Sequence, residues 1–192
     1  MGSHFRLILA CVAIFTLVLA TPVSASSSVV HDASGDSLSS QTYTDIGLAK
    51  VTDQVGTGTL YFQQVLAGSI PAAPTGFTAY NWLIDTDGNG IANYVIVVRF
   101  CRHSLQAACV GDEWHWESAL TNPATGQSIA SFEFTIAGNV VKAFVAQSAI
   151  GSPSTFRWIA ATRTSPASSG LPSVDLAPDL VGSSPVWAEF GR

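Results

Sequence analysis

Apolar and polar residues alternate along much of this chain, in runs too short for ordinary helices. A period of two is the mark of a strand with one buried face. Residues 59–66 carry Leu60, Phe62 and Val65 as apolar points, and residues 78–84 place Tyr80, Trp82 and Ile84 on one face. Residues 131–137 align Phe132, Phe134 and Ile136, and residues 156–162 align Phe156 with Trp158. The β-branched run 94–100 reads as a central strand buried on both sides. Further strands are predicted at 44–52, at 113–120 with Trp114, Trp116 and Ser118 on one face, at 140–145, and at an edge over 186–190. Turn residues separate them at 53–58, 71–76, 85–90 and 122–126, and Gly138-Asn139 marks a hairpin. Residues 146–151 read as a short connector with a helical turn.

The Ser-rich stretch 26–40 reads as an entry loop outside the core. Residues 164–185 hold four of the nine prolines and read as an extended closing segment. About eight to ten short strands without a long amphipathic helix predict an all-β fold. The expected architecture is an antiparallel β-sandwich, jelly-roll-like, forming a single domain over 26–192.

The first 25 residues depart from this pattern. Arg6 is followed by an apolar run from Leu7 to Ala20 broken only by Thr16, and Val23-Ser24-Ala25 supplies small residues. This is the layout of a secretory signal peptide cleaved after Ala25. The run is about 14 residues, short of the ~20 that a spanning helix needs. The mature chain is therefore expected to be secreted, with no membrane span. Cys101 and Cys109 are its two cysteines, and in an exported chain such a pair predicts a disulfide.

Composition narrows the partners. The chain has a net charge of -5, only 11% charged residues and no basic cluster, which argues against nucleic acid. Asp85-Thr86-Asp87-Gly88-Asn89-Gly90-Ile91-Ala92-Asn93 spaces oxygens as a calcium loop does. Asp85, Asp87, Asn89, the Ile91 carbonyl and Asn93 are the expected ligands. The twelfth position is Ile96 rather than Glu, so the loop is not an EF-hand. A plain hairpin turn uses the same residue types. Asp32 and Asp36 near the start, with Asp175 and Asp179 near the end, would form a second cation site if both segments meet at one end of the sandwich. Otherwise they are solvated loop carboxylates.

Five tryptophans stand out for this length. Trp114 and Trp116, flanking His115 in a polar stretch, are the candidate ligand platform, with core packing as the alternative. No G-x-S-x-G elbow, H-E-x-x-H pair or phosphate loop is present, and no catalytic residue is assigned.

Several segments together resemble known domains. Asp32-Ala33-Ser34-Gly35-Asp36, Tyr43-Thr44-Asp45-Ile46, Tyr80-Asn81-Trp82-Leu83-Ile84-Asp85-Thr86-Asp87 and Asn93-Tyr94-Val95-Ile96 occur in that order. Ile150-Gly151-Ser152-Pro153-Ser154-Thr155-Phe156-Arg157-Trp158 and Asp175-Leu176-Ala177-Pro178-Asp179 close the series. The mature chain thereby resembles secreted DOMON-like and family-nine carbohydrate-binding β-sandwiches. The resemblance implies a jelly-roll-like sandwich that binds sugar, or haem in some branches, often with calcium. Haem held between His and Met has no counterpart here, because the only Met is Met1.

The expected function is a secreted, non-catalytic, calcium-stabilised module binding carbohydrate or a cell-surface glycan. Two other readings are an adhesive or structural extracellular protein working through protein contacts, and a small secreted hydrolase centred on His115 and Glu117.

Overall fold

The computed structural model describes residues 25–104, 106–166, 173–180 and 184–191. Apart from Ala25, the predicted leader lies outside these residues. Among the described residues no helix is long and apolar enough to cross a membrane.

The expected all-β sandwich forms from strands β1 (Ser27–His31), β2 (Ile46–Gln54), β3 (Thr59–Leu66), β4 (Gly76–Asp85), β5 (Tyr94–Cys101) and β6 (His115–Thr121). They are followed by β7 (Ser128–Ala130), β8 (Glu133–Ala137), β9 (Val140–Ala146), β10 (Thr155–Pro166), β11 (Ser173–Ala177) and β12 (Ala188–Gly191). A five-stranded sheet runs β1-β2-β3-β9-β8, and a seven-stranded sheet runs β11-β10-β4-β5-β6-β7 with β12 also paired to β10. Every strand pair is antiparallel.

The alternation read from the sequence decides which side chains meet. Leu60, Phe62 and Leu66 of β3 face Tyr80, Trp82 and Ile84 of β4, and all belong to one buried cluster spanning both sheets. Trp158, Ile96, Val98 and Leu120 complete its centre from the seven-stranded sheet. Fully buried Gln64 on β3 reaches across this apolar layer and donates from Nε2 to the Asn81 carbonyl on β4 at 2.9 Å. β5 is buried on both faces from Ile96 to Cys101, as its β-branched run predicts.

The hairpin joining β8 to β9 turns at Gly138 and Asn139 with Ala137 paired to Val140. Gly138 has φ 59°, so glycine stands first, as a type II′ turn requires. The connector at 146–151 contains a 3-10 turn, Gln147–Ile150, closed by left-handed Gly151.

Two expectations need correction. The stretch 26–40 is not wholly an entry loop. Ser27–His31 pairs with β2, Val30 packs on the core, and Ser28 Oγ accepts a hydrogen bond from Trp158 Nε1 at 3.1 Å. The run of serines hides a two-valine strand whose partner supplies the sheet. The segment 164–185 likewise includes part of β10 and all of β11, which pairs Asp175 with Thr162. β7 was also not expected, because three residues carry too little pattern.

Truncating Phe62 to alanine is expected to lower unfolding free energy by roughly 3–5 kcal/mol. Thr135→Ala on the opposite sheet face should stay within about 0.5 kcal/mol. Urea unfolding of both variants checks the assignment of faces.

Candidate metal centre

Five aspartates, three from the connection between β1 and β2 and two from β11 and the residues after it, meet at one rim of the sandwich. Asp32 follows β1 directly, and its N–H donates to Gly47 O of β2. Asp45 stands just before β2, so the antiparallel β1-β2 pairing brings both to the same end. Asp36 lies on the loop between them. Asp175 reaches this rim because β11 pairs with β10, and Asp179 follows two residues after β11. Asp32, Asp36 and Asp179 each bring an oxygen within 4.8 Å of the others. Asp36, Asp45 and Asp175 form a second such set, so Asp36 joins the two.

Two of these carboxylates are deeply buried, Asp45 at 6% exposure and Asp175 at 4%. Asp175 Oδ2 accepts the Ile46 N–H at 2.7 Å, a bond that ties the two sheets together at the rim. Asp45 Oδ2 accepts the Gly35 N–H at 2.8 Å. Asp45 Oδ1 and Asp32 Oδ2 are buried and have no hydrogen-bond partner among the described residues. Among the described residues no Lys, Arg or His forms an ion pair with any of the five.

Gathering carboxylates away from water without a counter-charge raises their pKa values. Burial, then the charges of Asp179, Asp175 and Asp36, push Asp32 up to about 8. Burial, with Asp36 and Asp45 against the Ile46 N–H, pushes Asp175 up to about 6. Asp179 is raised by burial and by Asp36. An all-oxygen set of anionic donors with unmet acceptors is what a hard divalent cation seeks. Neither nitrogen nor sulfur donors take part, which disfavours zinc. The residues present offer the oxygen donors that a hard cation takes. Asp45 was absent from the sequence expectation, since next to Ile46 it reads as an ordinary strand residue.

The loop at 85–93 uses its oxygens differently. Asp85 is fully buried, yet Oδ1 accepts Gly88 N–H at 2.7 Å and Oδ2 accepts Gly90 N–H at 2.9 Å. Arg157 donates to the same Oδ2 at 2.6 Å. Burial works to raise this carboxyl, but those N–H groups and Arg157 outweigh it and hold it below the usual range. Asp87 accepts from Asn89 and Asn93, Asn89 Oδ1 from Ile91 N–H, and Asn93 Oδ1 from Thr86. Each expected side-chain ligand thus already receives protein donors, and a guanidinium stands against the central carboxylate. Beside the loop lies a cavity of ≈ 550 Å³ lined in part by Thr86, Asp87, Arg157 and Glu189.

The aromatic platform residues are also engaged. Trp116 stacks on Tyr80 at 6.0 Å, packs on the core and donates from Nε1 to Ala72 O at 3.0 Å. Trp114 precedes β6 rather than belonging to it, and stacks on Phe100 at 5.2 Å with Arg102 over its ring. His115 contacts Glu117 at 3.1 Å. Glu117 also holds Arg99 and the Val110 N–H, and Arg99 donates to Ala108 O. These groups fasten the loop closed by the Cys101–Cys109 disulfide onto β5 and β6. The Cys101, Cys109 and Glu117 grouping belongs to this fastening.

No protein-family model, curated protein or solved structure matches the chain.

An acid whose pKa is raised by folding binds more protons folded than unfolded, so stability falls as pH rises through that window. The chelated protein is expected to weaken between pH ~4 and ~8 as Asp175 and then Asp32 ionise, near 6 and 8 respectively. His115, raised mainly by the Glu113 carbonyl and by Glu117, acts in the same direction. The comparison is therefore with Asp32→Asn, which should flatten the slope. Urea midpoints across this range, in chelator, test it, and an unchanged slope in the variant counts against the cluster.

Proposed function

We propose that the chain is a secreted, non-catalytic β-sandwich module whose rim aspartates bind calcium and whose sheet surface binds carbohydrate. The observation that carries the metal part is the buried Asp45 Oδ1, without a hydrogen-bond partner among the described residues, within a five-carboxylate cluster that no described Lys, Arg or His pairs with. A bound divalent cation answers that charge, keeps the carboxylates ionised at neutral pH and joins the segment after β1 to the segment after β11. Calcium suits a site with this many flexible oxygen donors better than magnesium, which demands strict octahedral geometry. The Cys101–Cys109 disulfide supports export to an oxidising compartment. The carbohydrate part rests on the sandwich fold and the resemblance in the order of its motifs.

Adding calcium to chelator-treated protein at about 100 times Kd should stabilise it by roughly 2.7 kcal/mol. For a chain of this size that raises Tm by about 5–10 °C. Asp45→Asn should remove most of the rise, whereas Asp87→Ala should leave it in place. Asp32→Asn should raise Tm in chelator at pH 8 while weakening the calcium response. Scanning calorimetry with and without calcium reads all four, and a wild-type Tm indifferent to calcium rejects the metal site.

A further inference from the structure

The outer face of the five-stranded sheet collects the chain's two lysines. Lys50 on β2 and Lys142 on β9 are paired through Gln63 on β3, in one row across the sheet. The adjacent row is Thr52, Tyr61 and Phe144. These six side chains line a depression of ≈ 330 Å³. Tyr61 and Phe144 meet edge to face at 4.9 Å, which fixes the rings at its floor. Neither lysine forms an ion pair among the described residues. In a chain of net charge -5 with only these two lysines, their placement in one row of one sheet face gathers positive charge there, with Glu133 of β8 beside Phe144 at its margin.

We infer that this face is the carbohydrate site and that its ligand is an acidic glycan, a polymer carrying uronate groups; the inference rests on the carbohydrate reading above. The aromatic pair offers an apolar platform to the C–H faces of a pyranose ring. Thr52 and Gln63 offer hydroxyl and amide groups to sugar hydroxyls. The lysines sit two strands apart, about 10 Å between backbones, which suits carboxylates spaced along successive sugars. A nucleic acid presents one charge per ~1.7 Å of duplex and binds through many more cations than two. A neutral glycan would take hydrogen bonds from the lysines but leave their charge unanswered. The Trp114 and Trp116 rings, by contrast, already contact Phe100, Tyr80 and Arg102.

The test uses two oligosaccharides differing only in charge, a β-1,4-glucuronan and a cello-oligosaccharide of equal length, titrated by calorimetry into calcium-loaded protein. The wild type should bind the glucuronan, more weakly as salt rises. The Lys50→Gln, Lys142→Gln double variant should lose about tenfold in affinity and most of the salt dependence. Tyr61→Ala should weaken binding at every salt concentration, while Glu189→Gln beside the other cavity should not. Unchanged melting curves and calcium responses exclude misfolding as the cause. Equal glucuronan binding by wild type and double variant overturns the site, and preference for the neutral sugar overturns the ligand class; both leave the carbohydrate reading standing. Binding to neither sugar overturns the inference and the carbohydrate reading together. Preference for an oligonucleotide, or self-association of the wild type that the lysine substitutions abolish, also overturns it.

Discussion

A carboxylate can leave water only if something answers its charge. The arrangement of this molecule turns on how it meets that requirement twice. At one place Asp85 is answered by the chain itself, through two backbone N–H groups and Arg157. At the other, five aspartates converge, and among the described residues three N–H groups and no ion-paired basic side chain hold Asp45 and Asp175. The first is complete as it stands, with its carboxyl held below the usual range. The second holds Asp32, Asp175 and Asp179 above the usual range, and Asp32 Oδ2 and Asp45 Oδ1 have no hydrogen-bond partner among the described residues.

The two sites also differ in what they connect. The Asp85 network is local, joining a loop to the neighbouring strand β10. The aspartate rim joins segments separated by more than a hundred residues, as the Ile46–Asp175 bond shows. A cation there would act on the closure of the sandwich rather than on one loop. Such a cation would couple the order of both edge regions to ion concentration, while the sheet faces remain set by apolar packing.

Much of the fold was legible because its core strands alternate cleanly. β3 runs over the predicted 59–66, and Tyr80, Trp82 and Ile84 share the inner face as read. The Gly138-Asn139 turn and the doubly buried β5 were visible in glycine order and β-branching. β1 was not, since serine residues there satisfy the pairing without advertising it. The rim was half legible: four aspartates were noted, but their meeting depended on β1 and β11 forming. Asp45 was missed because its distinguishing property, an oxygen buried without a partner, exists only after folding. At 85–93 a sequence shows the spacing of oxygens but not the donors, such as Arg157, that reach them. On the outer face, Lys50 and Lys142 lie 92 positions apart (142 − 50). Only the β2-β3-β9 register sets them in one row, with Gln63 between them.

Two greasy layers pressed together have little to choose between one sliding offset and the next. The Gln64 amide seated on the Asn81 carbonyl acts as a dowel between them. Shear the layers by a single residue and that amide is stranded in hydrocarbon, at a cost of about 1–3 kcal/mol. A core otherwise tolerant of reshuffled aliphatic side chains thus keeps one alignment, and the lysine-bearing surface stays at a fixed offset from the aspartate rim.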